Sequence, residues 1–176
     1  MTGELDVRVG HGFDVHRAGV DPGRPLVLGG CVFPGLPGLV GHSDGDAIAH
    51  AVADALLGAA GQPDLGTLYP ASEDEHAGAS SIGFLEGVAE RLRAEGFTIV
   101  NVDVVIAAET PRLAPHLGAM AANLARALAA AGHGDDPVPI SVKPKRAEGL
   151  GAIGRAEGIA AWAVALVERG IWPESS

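Results

Sequence analysis

The stretch Leu5–His16, which reads LDVRVGHGFDVH, decides the fold of this chain because its residues alternate with the two-residue period of a β-strand. Side chains two residues apart leave a strand on the same face. Asp14 and His16 are therefore predicted to project together from the end of this strand. A carboxylate and an imidazole on one face are two candidate ligands for a metal ion.

A third candidate ligand, His50, belongs to segment 42–50, which reads HSDGDAIAH and opens a predicted helix. We expect Ser43 to cap this helix and Asp46 to lie near the positive end of its dipole. An apolar stripe runs along the helix and stops at 58–61, where glycines occur.

One edge of this helix is polar, because Asp46, His50 and Asp54 are spaced four residues apart. If the helix packs on the strand, this edge faces Asp14 and His16. Three protein ligands with a fourth position left open are typical of catalytic zinc sites, whereas structural zinc normally has four ligands. Taken singly, each residue has a plainer explanation, since His50 could simply hydrogen-bond a neighbouring aspartate.

The remainder of the chain alternates predicted strands and helices. A hairpin is indicated where Gly29-Gly30 separates two short apolar runs. We predict a turn-rich loop at 34–38 and expect the long polar segment 63–80 to be functional or mobile. The apolar run 158–167 fits either a strand or a helix. Further helices are predicted at 81–95 and 116–131, and further strands at 97–107 and 140–143.

The order of these elements predicts one α/β domain over residues 1–176 with a mixed sheet, and residues 169–176 are a candidate disordered tail. The net charge is −10, from 22 acidic and 12 basic residues, which disfavours a nucleic-acid-binding surface. No apolar run approaches the ~20 residues of a membrane helix. With no export signal and the single Cys31, we expect a cytoplasmic protein without a membrane or nucleic-acid partner.

Taken in order, the motifs closely resemble those of the 2-C-methyl-D-erythritol 2,4-cyclodiphosphate synthase family, the ring-closing enzymes of the non-mevalonate isoprenoid pathway. The resemblance spans nearly the whole chain and rests first on two long contiguous blocks, 10–16 and 42–50. It implies an α/β (α+β) domain with a mixed, mostly four-stranded sheet, an early β-hairpin and helices packed on one face. It also implies a homotrimer with active sites between subunits. Further matching blocks are 54–60, 64–66, 101–104, 111–116 and 154–160.

The resemblance implies two metal ions in each subunit. Zinc would be held by Asp14, His16 and His50, and a second divalent ion, Mg²⁺ or Mn²⁺, by Glu148. The implied substrate is 4-diphosphocytidyl-2-C-methyl-D-erythritol 2-phosphate, whose 2-phosphate attacks the β-phosphorus of the diphosphate. The products are 2-C-methyl-D-erythritol 2,4-cyclodiphosphate and CMP, so the implied enzyme is a phosphorus–oxygen lyase.

Catalytic and substrate-binding positions are implied in the same way. His42 matches the position credited with stabilising the transition state. Arg146 fills the slot of a family threonine that stabilises the transferring phosphate; its guanidinium could make that contact or point to solvent. Substrate contacts are implied for Asp14, His16, His42, Ser43, Asp64, Leu65, Gly66, Ser72, Glu73, Ala108, Thr110, Pro111, Arg112, Leu113, Ala114, Lys145, Ala147 and Arg155.

A second departure from the family lies in its FPDTD loop, which appears here as YPASE at 69–73. Ala71 cannot make the contact of the aspartate that it replaces. Two other functions stay open: a metal-dependent phosphohydrolase, and a catalytically silent trimer that binds isoprenoid phosphates. The first lacks an obvious general base for water near the motifs, and the second fits poorly with only three zinc ligands.

Overall fold

The computed structural model describes residues 4–21, 23–70 and 78–171 of the chain. Within these ranges, no helix is long and apolar enough to cross a membrane. The strands are β1 (Glu4–Arg17), β2 (Pro25–Leu28), β3 (Cys31–Pro37), β4 (Thr98–Ala107), β5 (Ile140–Lys145) and β6 (Gly158–Ile171). The helices are α1 (Ala47–Ala60), α2 (Leu65–Leu68), α3 (Ser81–Ala94), α4 (Leu117–Ala127) and α5 (Gly151–Gly154).

Four strands form a mixed sheet in the order β1-β6-β4-β5. β6 runs antiparallel to both of its neighbours, whereas β4 and β5 run parallel. β1, β4 and β5 therefore end at the same edge of the sheet. The predicted α/β class and the mixed four-stranded sheet are confirmed. The ambiguous run 158–167 is a strand, which pairs with β1 along one edge and with β4 along the other.

The two shortest strands, β2 and β3, pair antiparallel as a separate sheet. Gly29 and Gly30 join them with φ values of +55° and +68°, the left-handed conformations that a tight two-residue hairpin turn requires. The prediction of a loop at 34–38 is wrong for most of its length, because β3 continues to Pro37. A two-stranded sheet leaves outer edges free, and there prolines cost no ladder hydrogen bond.

Helix α1 lies directly on β1 at two glycines. A Cβ added to Gly10 would lie 1.8 Å from the carbonyl oxygen of Ala55, and one added to Gly12 would lie 2.0 Å from that of Ala51. The two glycines therefore allow helix and strand backbones to touch. Gly10 and Gly12 thus hold α1 close against the strand that carries Asp14.

The N-cap of helix α1 lies three residues after the predicted cap, Ser43. Its N-cap is Asp46, whose Oδ1 accepts the N–H groups of Ile48 and Ala49 at 3.1 and 3.2 Å. These are first-turn donors that have no partner within the helix. Ser43 instead points its hydroxyl toward the ring of His50, 3.1 Å from Nε2.

The carboxylate of Asp46 also anchors the hairpin turn. It accepts the N–H of Gly29 at 2.8 Å and that of Gly30 at 2.7 Å, and the residue is fully buried. Burial raises the pKa of this carboxyl, and the backbone donors lower it. The expectation that Asp46 faces β1 is therefore wrong, because the two hairpin N–H groups hold its carboxylate toward the hairpin.

The remaining helices follow the predictions with shifted ends. α3 matches the helix predicted at 81–95. The helix predicted at 116–131 divides into α4 and two flanking 3₁₀ turns, Ala114–His116 and Ala129–Ala131. The polar segment 63–80 contains the short helix α2.

The outer face of β1 and β6 is apolar and uncovered. Along each strand, side chains on this outer face alternate with side chains on the inner face, where α1 packs. Phe13 and Trp162 contact each other on the outer face, with ring centroids 5.2 Å apart. We call this outer face the open sheet face; its exposed members are Leu5, Val7, Val9, Phe13, Val15, Trp162 and Val164.

Candidate metal centre and active site

Three side chains converge where β1 meets the first turn of α1. Asp14 Oδ2 lies 2.8 Å from His16 Nε2 and 3.1 Å from His50 Nδ1, and the two ring nitrogens are 3.2 Å apart. The strand supplies two of these groups through its two-residue alternation, and the close α1–β1 packing brings in the third. Among the described residues they form a group of the size that could hold a metal ion.

The hydrogen bonds behind the two rings determine which nitrogens face the centre. His16 Nδ1 lies 2.7 Å from the carbonyl oxygen of Val40. A carbonyl only accepts, so Nδ1 carries the proton and Nε2 presents a lone pair to Asp14. His50 turns Nδ1 to the same point, while its Nε2 lies 2.8 Å from the hydroxyl of Ser81.

The donor set fits a divalent cation. Donors bound ~2.0–2.1 Å from a tetrahedral zinc ion stand roughly 3.3 Å apart, close to the observed spacing. Burial raises the pKa of the Asp14 carboxyl, but the hydrogen bonds that His16 and His50 donate to it when their rings are protonated outweigh burial and hold the pKa well below its usual range. Asp14 is therefore in the ionised form that binds cations. The hydrogen bond to Asp14 in turn raises the pKa of His16, against its burial.

The centre opens into a cavity of about 230 Å³. His42, Ser43, Leu65 and Gly66, all predicted to contact substrate, line this cavity, whereas Asp64 caps α2 through the N–H of Thr67. Its full lining is Asp14, His16, His42, Ser43, His50, Asp54, Leu65, Gly66, Tyr69 and Phe84.

Sequence reasoning missed two members of this lining, Tyr69 and Phe84, whereas Asp54 belongs to the predicted polar edge of α1. Tyr69 and Phe84 stack with ring centroids 4.5 Å apart and close one wall. Asp54 accepts the N–H of Leu65 at 2.8 Å and so fixes α2 at the cavity. Tyr69 stands in a motif that the family match had marked, but nothing local connects it with Phe84.

A second cavity, of about 500 Å³, lies at the carboxyl ends of β4 and β5. It contains residues predicted to contact substrate, among them Thr110, Arg112 and Lys145, and it shares no lining residue with the first cavity. Its lining is Ala108, Glu109, Thr110, Pro111, Arg112, Leu113, Ala114, Pro144, Lys145 and Arg146.

Arg146 is neither free in solvent nor aimed at the metal centre. Its Nη2 donates to Glu109 Oε1 at 2.6 Å, and the N–H of Ala147 donates to Glu109 Oε2 at 3.2 Å. The hydrogen bond from Arg146 holds the pKa of Glu109 below its usual range. The side chain of Arg146 is still 65% exposed, so the guanidinium is held at the rim of the second cavity.

Among the predicted residues that the structure describes, four line neither cavity: Asp64, Ala147, Glu148 and Arg155. Glu148 directly follows Ala147 and has a positive φ of +51°. Arg155 pairs with Glu157 at 2.6 Å. Ser72 and Glu73, with the altered position Ala71, lie outside the described residues.

The fold and the centre together define an α/β protein with three side chains that could hold a divalent metal beside an open cavity. The chain belongs to the YgbB family, which its residues 7–168 match. A relative from Alkalilimnicola ehrlichii, named 2-C-methyl-D-erythritol 2,4-cyclodiphosphate synthase, is 49% identical over 163 residues, covering 93% of this chain and 96% of the relative. The resemblance that the motifs indicated is confirmed.

Solved structures agree with this membership. The CDP complex of IspF from Plasmodium falciparum superposes with a TM-score of 0.78 at 32% identity, covering 94% of this chain and 97% of that one. The bifunctional IspDF from Campylobacter jejuni gives a TM-score of 0.85 at 37% identity. That match covers 96% of this chain but 44% of the longer IspDF chain.

Proposed function

We propose that this chain is a 2-C-methyl-D-erythritol 2,4-cyclodiphosphate synthase. It converts 4-diphosphocytidyl-2-C-methyl-D-erythritol 2-phosphate to the cyclic diphosphate and releases CMP. The observation that carries the proposal is the open three-ligand centre of Asp14, His16 and His50, in a chain 49% identical to a synthase of that name. The names of the relatives favour ring closure over hydrolysis or silent binding.

Ring closure by an internal phosphate mainly requires that the two ends be positioned and their charge neutralised. Asp14, His16 and His50 would hold zinc, which supplies Lewis acidity at a phosphoryl oxygen. His42 and Ser43 line the same cavity and offer N–H and O–H donors to the phosphate of the sugar. Both substrate phosphates carry negative charge, so these donors act where the charge is greatest.

The second cavity is assigned to the cytidine end of the substrate. The relative from P. falciparum binds CDP, and segment 108–114 forms one wall of this cavity. Lys145 and Arg146 at its rim supply the positive charge that a diphosphate needs in a protein of net charge −10. A second divalent ion, Mg²⁺ or Mn²⁺, would join Glu148 and the phosphates, since one carboxylate plus phosphates suits such ions.

The two cavities are brought into one active site by a neighbouring subunit in a homotrimer. Two observations support this assembly: the cavities share no lining residue, and the open sheet face leaves a large apolar surface without cover. We expect sedimentation equilibrium to give three times the mass of one chain. A monomer at micromolar concentration would contradict the assembly.

Phosphorus NMR of the reaction mixture tests the function. The purified protein, with Zn²⁺ and Mg²⁺, is incubated with the proposed substrate. We expect signals of a cyclic diphosphate and of CMP in equal amounts. Linear hydrolysis products would identify a phosphohydrolase, and unchanged substrate would identify a silent binding protein.

Replacing Arg146 by alanine is expected to lower kcat by about 10²-fold, because it removes one charged donor from the transferring phosphate. Arg146→Thr restores the residue type of the family and should retain more activity than Arg146→Ala. Steady-state kinetics at saturating Mg²⁺ measures both variants, with the exposed Arg93→Ala as a matched loss of surface charge. An unchanged kcat in Arg146→Ala would assign the guanidinium to the Glu109 ion pair alone.

A further inference from the structure

The ring of His50 is supported on its far side by two residues to which neither the motifs nor the family match assigns a role. We propose that Ser81 and Asp44 are positioning residues that fix the tautomer and orientation of His50, so that its Nδ1 faces the metal. The inference rests on the proposed zinc centre. Neither residue belongs to the group of metal ligands, so each would act on the metal through His50.

The direction of each hydrogen bond follows from what each group can donate. Ser81 is buried, and its Oγ lies in short contact with Asp44 Oδ1. A carboxylate only accepts, so the hydroxyl proton of Ser81 points to Asp44. The lone pairs of Ser81 Oγ then face His50 Nε2, 2.8 Å away.

This arrangement leaves one tautomer for the neutral ring of His50. Nε2 must carry the proton to donate to Ser81, and Nδ1 is left with a lone pair. That lone pair points to Asp14 Oδ2 at 3.1 Å and to His16 Nε2 at 3.2 Å. The hydrogen bond from His16 Nδ1 to Val40 likewise leaves a lone pair on His16 Nε2. Two imidazole lone pairs and the Asp14 carboxylate therefore converge, and a bound cation would relieve their repulsion.

Asp44 is itself held rigidly by the backbone. Its Oδ2 accepts the N–H of Ser81 at 3.1 Å, and its Oδ1 accepts the N–H of Asp46 at 3.2 Å. Its own N–H donates to the carbonyl of Ala79 at 3.0 Å. The loop before α1 and the first turn of α3 are thus joined at the point that orients His50. The Ser43 hydroxyl lies 3.1 Å from Nε2 and 3.2 Å from Ser81 Oγ, and it accepts the N–H of Gly45.

Zinc affinity tests the inference without any substrate. In the full-length protein, Ser81→Ala is expected to bind Zn²⁺ ~10- to 100-fold more weakly, measured by competition with a chelator. Ser80→Ala is the matched control, because Ser80 is the exposed neighbour and its side chain makes no cap hydrogen bond. Wild-type zinc affinity in Ser81→Ala would overturn the inference.

A double-mutant cycle tests whether Asp44 acts on His50 through Ser81 or independently of it. If Asp44 acts through Ser81, the double variant Ser81→Ala/Asp44→Ala binds zinc no more weakly than the weaker single variant. Additive losses of zinc affinity would show that Asp44 does not act through Ser81. A wild-type protein that binds no zinc would instead overturn the proposed function, whereas normal zinc binding in Ser81→Ala leaves that function standing.

The tautomer of His50 can be measured in the wild-type protein, so the inference does not depend on a variant that folds. Nitrogen-15 NMR of the zinc-free protein at a pH where the ring is neutral is expected to show the proton of His50 on Nε2. A proton on Nδ1 would overturn the inference.

Discussion

Replacing His50 by alanine is expected to abolish turnover and to remove bound zinc while the fold stays in place. Two ligands, Asp14 and His16, would remain, and two ligands hold zinc far more weakly than three. Lewis acidity contributes several kcal/mol to phosphoryl transfer, so the rate should fall by roughly 10³-fold or more. The histidine side chain is 14% exposed and lies in the first turns of α1, so its removal leaves the helix and its apolar contacts intact.

Zinc content by atomic absorption, turnover by CMP release and a thermal melt measure the three parts of this result. His133→Ala is the matched control, because His133 is an exposed histidine outside both cavities that pairs with Glu168 at 3.5 Å. It should keep zinc and turnover at wild-type values. Full turnover of His50→Ala without bound zinc would refute the assignment of the centre.

Replacing Gly10 by alanine is expected to destabilise the protein by about 3 kcal/mol or more. The new Cβ would lie 1.8 Å from the carbonyl oxygen of Ala55 and 2.6 Å from the nitrogen of Ala59. Backbone atoms of a helix cannot rotate away as a side chain would, so α1 must move off β1. Since α1 carries His50, zinc affinity should fall together with stability.

Gly58→Ala provides the contrast within the same helix. A Cβ added there meets no heavy atom within 4 Å, and alanine is a better helix former than glycine by ~1 kcal/mol. Urea denaturation should therefore show a gain of stability for Gly58→Ala and a large loss for Gly10→Ala. Equal stabilities of Gly10→Ala and the wild type would show that helix and strand do not touch as described.

Local patterns predicted the elements that carry the centre. The alternation of Leu5–His16 predicted β1, and with it the common direction of Asp14 and His16. The position of His50 followed from the apolar stripe of α1. These predictions succeeded because strand alternation and helix periodicity are set by the chain itself.

Contacts between distant segments could not be predicted in this way. Ser43 and Asp46 are both good helix caps, and the N–H groups of the hairpin turn decide between them. Glu109 and Arg146 pair across two loops whose approach depends on the parallel pairing of β4 and β5. The same holds for Ser81, which reaches His50 only because α3 packs beside α1.

Even-numbered and odd-numbered residues of β1 lie on opposite faces of the sheet. Its even positions, among them Asp14 and His16, face the helix and the metal centre, and its odd positions form half of the open sheet face. A single inserted or deleted residue within the strand would exchange the two sets, so that hydrophobic side chains replaced the ligands and charged groups replaced the apolar surface. This strand should therefore tolerate hardly any change of length over evolution.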